Sequence, residues 1–246
     1  MCECCWGVSR RTVLKGAVVG MAGMLIGCPP TPEQHDLPDP YENALEGEGP
    51  EPVMAPKTIV LPPVTPPQKT EYGDIMPRSA WTDSPLTINR WRPMDGVTRI
   101  TVHHSGDGKP FLATSTVETI RHLQLVRQAH LQRGMVDIAY HFAVDRAGRV
   151  WQLRSLMYEG QHVRPSKDRR IFWNEHNIGV VTLGDFNLQM PTQAQVDRLI
   201  AFVHLVRAKY ALPVSQVYVH GELVQTDCPG RHLGPAVKAA RSKGLV

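Results

Sequence analysis

Apolar and polar residues alternate through Arg99-Ile100-Thr101-Val102-His103, a β-branched run with the two-residue period of a strand. The period then lengthens. Val117, Ile120, Leu123 and then Val126 or His130 recur at helical spacing, which predicts a helix from Ser115 to about Arg133, with Ser115 and Glu118 as its capping box and Gly134 as its stop. Ile138 to Val144 and Arg149 to Leu153 read as strands turned back to back through Arg146-Ala147-Gly148, a hairpin. Gln161 to Trp173 has no period and reads as a long loop. Ile178 to Leu183 is almost continuously apolar, the pattern of a strand covered on both faces at the centre of a sheet. Thr192 and Gln195 form a second capping box, and Val196, Leu199, Ile200, Val203, Val206 and Tyr210 follow at helical spacing until Leu212-Pro213. Gln216 to Val219 is a short strand, and Pro235 opens a last helix to about Ser242. Strands interleaved with helices predict an α/β domain with helices packed on the faces of its sheet.

None of this periodicity extends to the N-terminal third. Ser9-Arg10-Arg11-Thr12-Val13-Leu14-Lys15 and the apolar run Gly16 to Gly27 read as a signal peptide over 1–27, since the run is shorter than the ~20 apolar residues of a membrane span. The arginine pair resembles a twin-arginine export signal. Leu25-Ile26-Gly27-Cys28 resembles a lipobox, which would give Cys28 a lipid anchor and place the protein at the cell envelope as a membrane-anchored lipoprotein. Residues 28–74 then carry twelve prolines, from Pro29 to Pro67, which hold the chain extended and remove amide donors. With mutually repelling acids and few large apolar residues, they predict a disordered, Pro-rich acidic linker with a reach of over ~100 Å. The folded domain is therefore expected at 75–246.

Charge segregates in the same way. The net +4 of the 246 residues divides into +2 over 1–27, −6 over 29–72 and +8 over the remainder. A basic domain favours a polyanionic partner, and charge alone does not choose between cell wall and nucleic acid. Four of the five cysteines, Cys2, Cys4, Cys5 and Cys28, precede the domain, so it has no disulfide framework.

The remaining cysteine lies in Val219-His220-Gly221-Glu222-Leu223-Val224-Gln225-Thr226-Asp227-Cys228-Pro229-Gly230, eight positions after a histidine, with a Pro-Gly turn behind it. Imidazole nitrogen and thiolate sulfur both suit zinc, and a short loop lets both point at one ion. A third ligand is offered upstream, where the strand Thr101-Val102 ends in His103-His104-Ser105. Neighbours in a strand face opposite ways, so one of the two histidines points to the same side as Thr101 and the other to the side of Val102; periodicity does not say which side holds metal. A nucleophilic Cys-His pair is the rival chemistry.

V-H-H-S at 102–105, A-Y-H-F at 139–142, N-E-H-N-I-G-V at 174–180 and H-x7-C-P-G at 220–230 occur in an order that resembles the zinc N-acetylmuramoyl-L-alanine amidases. Phage lysozyme-type amidases and peptidoglycan recognition proteins share that family, and the resemblance runs from about Pro77 to the C-terminus. It implies a central mixed sheet flanked by helices, with a zinc groove on one side. It implies zinc held by His103, His220 and Cys228, leaving His104 as a packed histidine donating to a nearby carbonyl. Tyr140 would approach the metal's water or the developing oxyanion. Thr226 stands where phage members carry lysine and recognition-protein amidases carry threonine, and would assist as a second hydrogen-bond donor. Val181 stands where an intracellular recycling branch carries an acid, which shifts the chemical load towards Tyr140. His162 and Asn174 would contact substrate, Asn177 replaces a serine, His176 is expected in solvent, and Trp81 resembles the opening R-x-x-W. The expected reaction is hydrolysis of the amide between the N-acetylmuramic acid lactyl group and L-alanine, with peptidoglycan rather than nucleic acid as partner. The alternatives are a non-catalytic peptidoglycan-binding module, against which the retained Cys228 argues, and a cysteine peptidase.

Overall fold

A computed structural model of the protein describes residues 65–84, 92–163 and 173–246. The expected signal peptide, Cys28 and most of the expected linker lie outside the described residues, as do residues 164–172 of the expected long loop. The strands are β1 (Gln68–Thr70), β2 (Gly73–Met76), β3 (Arg99–His104), β4 (Phe142–Val144), β5 (Val150–Gln152), β6 (Asn177–Thr182) and β7 (Val217–Val219). The helices are α1 (Thr116–Gln132), α2 (Gln193–Lys209) and α3 (Gly234–Ser242). One seven-stranded sheet runs in the order β1-β2-β5-β4-β6-β3-β7. Its β1–β2 and β4–β5 pairs are antiparallel and the others parallel. The architecture is α/β, a mixed sheet flanked by helices.

Strand alternation assigns each core residue to a face. Ile100, Val102, Phe142, Val144, Ile178 and Val180 pack against Leu199, Phe202, Val203 and Val206 of α2 and Val237 and Ala240 of α3. Their neighbours Ala143, Trp151 and Val181 face the other way, onto Ile120, Leu123 and Val126 of α1 and onto Trp81. Helices on both faces bury all six residues of β6, as its continuous apolar pattern predicts. Phe202 is fully buried and meets Phe142 edge-on at 4.9 Å. Trp81 is also core, its Nε1 donating to the Gln152 carbonyl at 2.8 Å.

The second capping box forms in both directions between Thr192 and Gln195. The first forms by half: the Ser115 hydroxyl accepts the Glu118 amide at 3.2 Å and donates to the Glu118 carboxylate at 2.9 Å. Two expectations change. The strand expected from Ile138 begins only at Phe142, because the Ala139 amide goes to His130 Nδ1 and the Ala139 carbonyl to the Gln161 amide instead of a ladder. The sheet also takes in residues 68–74, which composition assigned to the linker. There the short polar β1 is held by its hairpin with β2, and buried Tyr72 bonds the Tyr210 hydroxyl at 3.1 Å. Too short to carry a hydrophobic period, such edge strands leave no signature in sequence.

Candidate metal centre

Register builds the site. In the parallel β3–β7 pair, Val102 is opposite Val219, and the next residue on each strand is a histidine. His103 and His220 thus leave the C-terminal ends of adjacent parallel strands side by side, ring centroids 4.4 Å apart. The crevice outside such strand ends is where open α/β sheets bind ligands. The chain then makes a one-turn 3-10 helix at His220–Glu222. Glu222 fixes that turn by accepting the Val219 amide at 2.9 Å, and Arg241 of α3 grips the same carboxylate with two nitrogens at 2.6 and 2.8 Å.

The return loop carries Cys228 back. Its carbonyl accepts the Gly221 amide at 2.9 Å, and its own amide donates to the Thr226 hydroxyl oxygen at 3.3 Å. Gly230 closes the loop with φ 91°, pressed so near the Phe186–Asn187 backbone that an added Cβ would lie 2.6 Å from the Phe186 carbonyl carbon. Cys228 Sγ ends 3.6 Å from His103 Nδ1 and accepts the His104 amide at 3.4 Å. One donor atom each from His103, His220 and Cys228 lies within 4.8 Å of the others. Two imidazoles and a sulfur at that separation match the three-ligand sets of catalytic zinc sites, so the residues present fit the ion.

Burial governs the charge states. It holds His103 well below the ordinary imidazole range, with further lowering from His162, His220 and His104. It pushes the Cys228 thiol up to about 12, against a smaller opposing effect of the His104 amide. Both shifts favour the uncharged forms, and a cation bound between the two would oppose that shift at the thiol.

Tyr140 stands beside this group, its ring centroid 5.2 Å from His103 and 6.3 Å from His162. Burial raises its phenol, which stays protonated, and its hydroxyl has no hydrogen-bond partner among the described residues. Two further buried histidines lie nearby, His130 against the Tyr140 ring and His141 against the His162 ring. His130, on α1, meets the Tyr140 ring edge-on at 5.6 Å while its Nδ1 accepts the Ala139 amide. His141 accepts the Gly179 amide on Nδ1 at 3.0 Å and donates from Nε2 to the Tyr158 carbonyl at 3.0 Å. Burial pulls both imidazoles down to about 4. The signal available for His130 was its place on the apolar stripe of α1.

The other expected site residues divide. Thr226 is exposed on the rim, lining with Cys228 a cleft of about 320 Å³ that Arg231 and Lys238 also border. His104 turns to the α2–α3 face, where its Nδ1 accepts the Phe186 amide at 3.1 Å rather than donating to a carbonyl. Val181 is the cross-strand partner of His103 and is fully buried, so the position is apolar. His162 and Asn174, expected to contact substrate, both give side-chain hydrogen bonds to the fold. His162 is 6% exposed, with Nδ1 3.0 Å from His103 Nε2 and Nε2 3.1 Å from the Asn177 carbonyl. Asn174 accepts the His162 and Val163 amides at 3.2 and 3.0 Å and donates to the Val163 carbonyl at 2.7 Å. His176, expected in solvent, is half-exposed and bonds the Asp95 carbonyl.

The chain is similar to a peptidoglycan-recognition protein of Drosophila simulans, at 26% identity over 162 residues, 65% of this chain and 84% of that protein. Its fold is similar to that of "N-acetylmuramoyl-L-alanine amidase LysC" from Clostridium intestinale, with TM-score 0.54 and 23% identity, covering 68% of this chain and 97% of that one. It is likewise similar in fold to a Drosophila PGRP-LB variant solved in complex with tracheal cytotoxin, with TM-score 0.56 and 21% identity, covering 67% of this chain and 93% of that one. The model of the family described as "N-acetylmuramoyl-L-alanine amidase" matches residues 92–231, a span that includes β3 to β7 and the whole His103, His220 and Cys228 group. The chain belongs to the N-acetylmuramoyl-L-alanine amidase family.

Proposed function

We propose that the protein is a zinc-dependent amidase that hydrolyses the bond between the N-acetylmuramic acid lactyl group and L-alanine in peptidoglycan. The observation that carries this reading is the convergence of His103, His220 and Cys228 at one strand edge, with the Tyr140 ring beside them. Zinc held by those three residues would supply Lewis acidity towards the amide carbonyl and acidify a water. Tyr140, kept protonated by burial, is placed to donate to the oxyanion that develops as the carbonyl is attacked. The Thr226 hydroxyl accepts from the Cys228 amide and keeps its own proton to donate, so it can assist at the rim without adding charge. Val181 offers no carboxylate next to His103, which leaves no general base at that position. Arg231 and Lys238 on the neighbouring cleft suit the carboxylates of a stem peptide.

A peptidoglycan-binding module without catalysis would use the same groove, and the recognition proteins among the relatives favour it as the second reading. The retained thiol favours the enzyme. A cysteine peptidase needs one histidine beside its thiol, and the convergence of both His103 and His220 on Cys228 favours metal instead. Metal removal tests the choice. Chelation should abolish release of peptide from muropeptides, and about one equivalent of zinc per chain should restore it. Cleavage that continues at the same rate in metal-free protein would sink the zinc mechanism.

A further inference from the structure

His162 is a buried histidine that the proposed chemistry leaves unused, and its ring sits in a slot that two glycines keep open. An added Cβ at Gly160 would lie 2.3 Å from His162 Cδ2, and one at Gly179 would lie 2.4 Å from the same atom. Only bare backbone on both sides leaves a slot wide enough for the ring. Asn174 pins the loop at that point, its side chain bonded to the His162 and Val163 backbone. In that slot the ring bridges two fixed groups, the Asn177 carbonyl at Nε2 and His103 Nε2 at Nδ1.

The direction of each bond follows from what the acceptor can do. A carbonyl oxygen only accepts, so His162 Nε2 carries the proton. A neutral imidazole has one proton, so with Nε2–H given to the carbonyl its Nδ1 is a lone pair, and at 6% exposure a second proton would bury a charge. The facing His103 Nε2, 3.0 Å away, must then be the donor. That leaves the lone pair of His103 on Nδ1, the nitrogen that faces Cys228 Sγ at 3.6 Å.

We infer that His162 is a positioning residue: the chain Asn177 carbonyl, His162, His103 fixes His103 in the tautomer whose Nδ1 lone pair points at the metal position. The inference rests on reading His103 as a zinc ligand. It gives the Gly160, Asn174 and Gly179 positions one shared purpose, which is to hold the acceptor for His103. Partners of this kind orient a metal-bound histidine and raise its basicity, and losing one typically lowers metal affinity about 10–100-fold.

The test begins without metal or substrate. Long-range proton–nitrogen spectra of the metal-free protein should show His103 protonated on Nε2. Observing His103 protonated on Nδ1 would overturn the inference, and this arm needs no variant to fold. His162→Leu removes the acceptor while filling most of the slot. Its His103 signals should shift towards a mixture of tautomers, and its zinc affinity, measured by chelator competition, should fall about 10–100-fold. His162→Asn keeps a short-reach oxygen acceptor for His103 and should recover much of that loss, which a purely space-filling role would not do. Zinc affinity of His162→Leu within about twofold of wild type, against the loss expected for such a partner, would also overturn the inference. A wild-type protein with the Nε2-protonated tautomer that binds no zinc would instead overturn the metal reading of His103, so the two failures are distinct.

Discussion

Cys228→Ser should cost the protein its metal and its turnover together while leaving most of its affinity for muropeptide. The hydroxyl is smaller than the thiol, harder as a donor and neutral, so it replaces neither the charge nor the softness of a thiolate ligand. Losing a partner that merely orients a ligand costs about 10–100-fold in metal affinity, so losing a ligand should cost more than ~100-fold. The backbone that places residue 228 should survive. Its carbonyl still accepts the Gly221 amide, its amide still donates to Thr226, and Gly230 still packs on Phe186. Zinc content by elemental analysis, sacculus cleavage and muropeptide binding are the three readouts. A serine variant that keeps zinc and cleaves at the wild-type rate would remove Cys228 from the ligand set.

Tyr140→Phe should separate chemistry from metal binding. The substitution leaves His103, His220 and Cys228 untouched and keeps the ring that packs against His103 and His130. It deletes one hydroxyl, which has no hydrogen bond to lose among the described residues. Stability and zinc content should therefore stay near wild type. The rate should fall about 10²–10³-fold, the usual loss when one donor to an oxyanion is removed. A phenylalanine variant that cleaves at the wild-type rate would show that Tyr140 is not that donor.

The clustering of His103, His220 and Cys228 was legible because two strong local signals meet in it. The β-branched runs ending at His103 and His220 predict strands, and the seven-residue gap to Cys228 is too short to lead anywhere but back to the same edge. What the sequence could not convey was the pairing of Val102 with Val219, which sets the two histidines side by side. His162 and Asn174 were assigned to substrate by the resemblance of their motifs alone. Their hydrogen bonds run to the Asn177 carbonyl and the His162–Val163 backbone, long-range or loop-internal partners with no sequence period. The same blindness shortened the strand at 138–144: nothing local reveals that the Ala139 amide is claimed by His130 from α1. At β1 the failure was one of length, since three exposed residues cannot carry a pattern.

Digestion of purified sacculi by the zinc-loaded protein, followed by mass identification of the new ends, tests the proposed activity most directly. The geometry of His103, His220, Cys228 and Tyr140 predicts free L-alanine amino termini and free lactyl carboxyl groups in equal amounts, in wild type and not in metal-free protein. Zinc-loaded protein that binds muropeptide yet releases no peptide from the lactyl group would contradict the enzyme and leave a recognition module in its place.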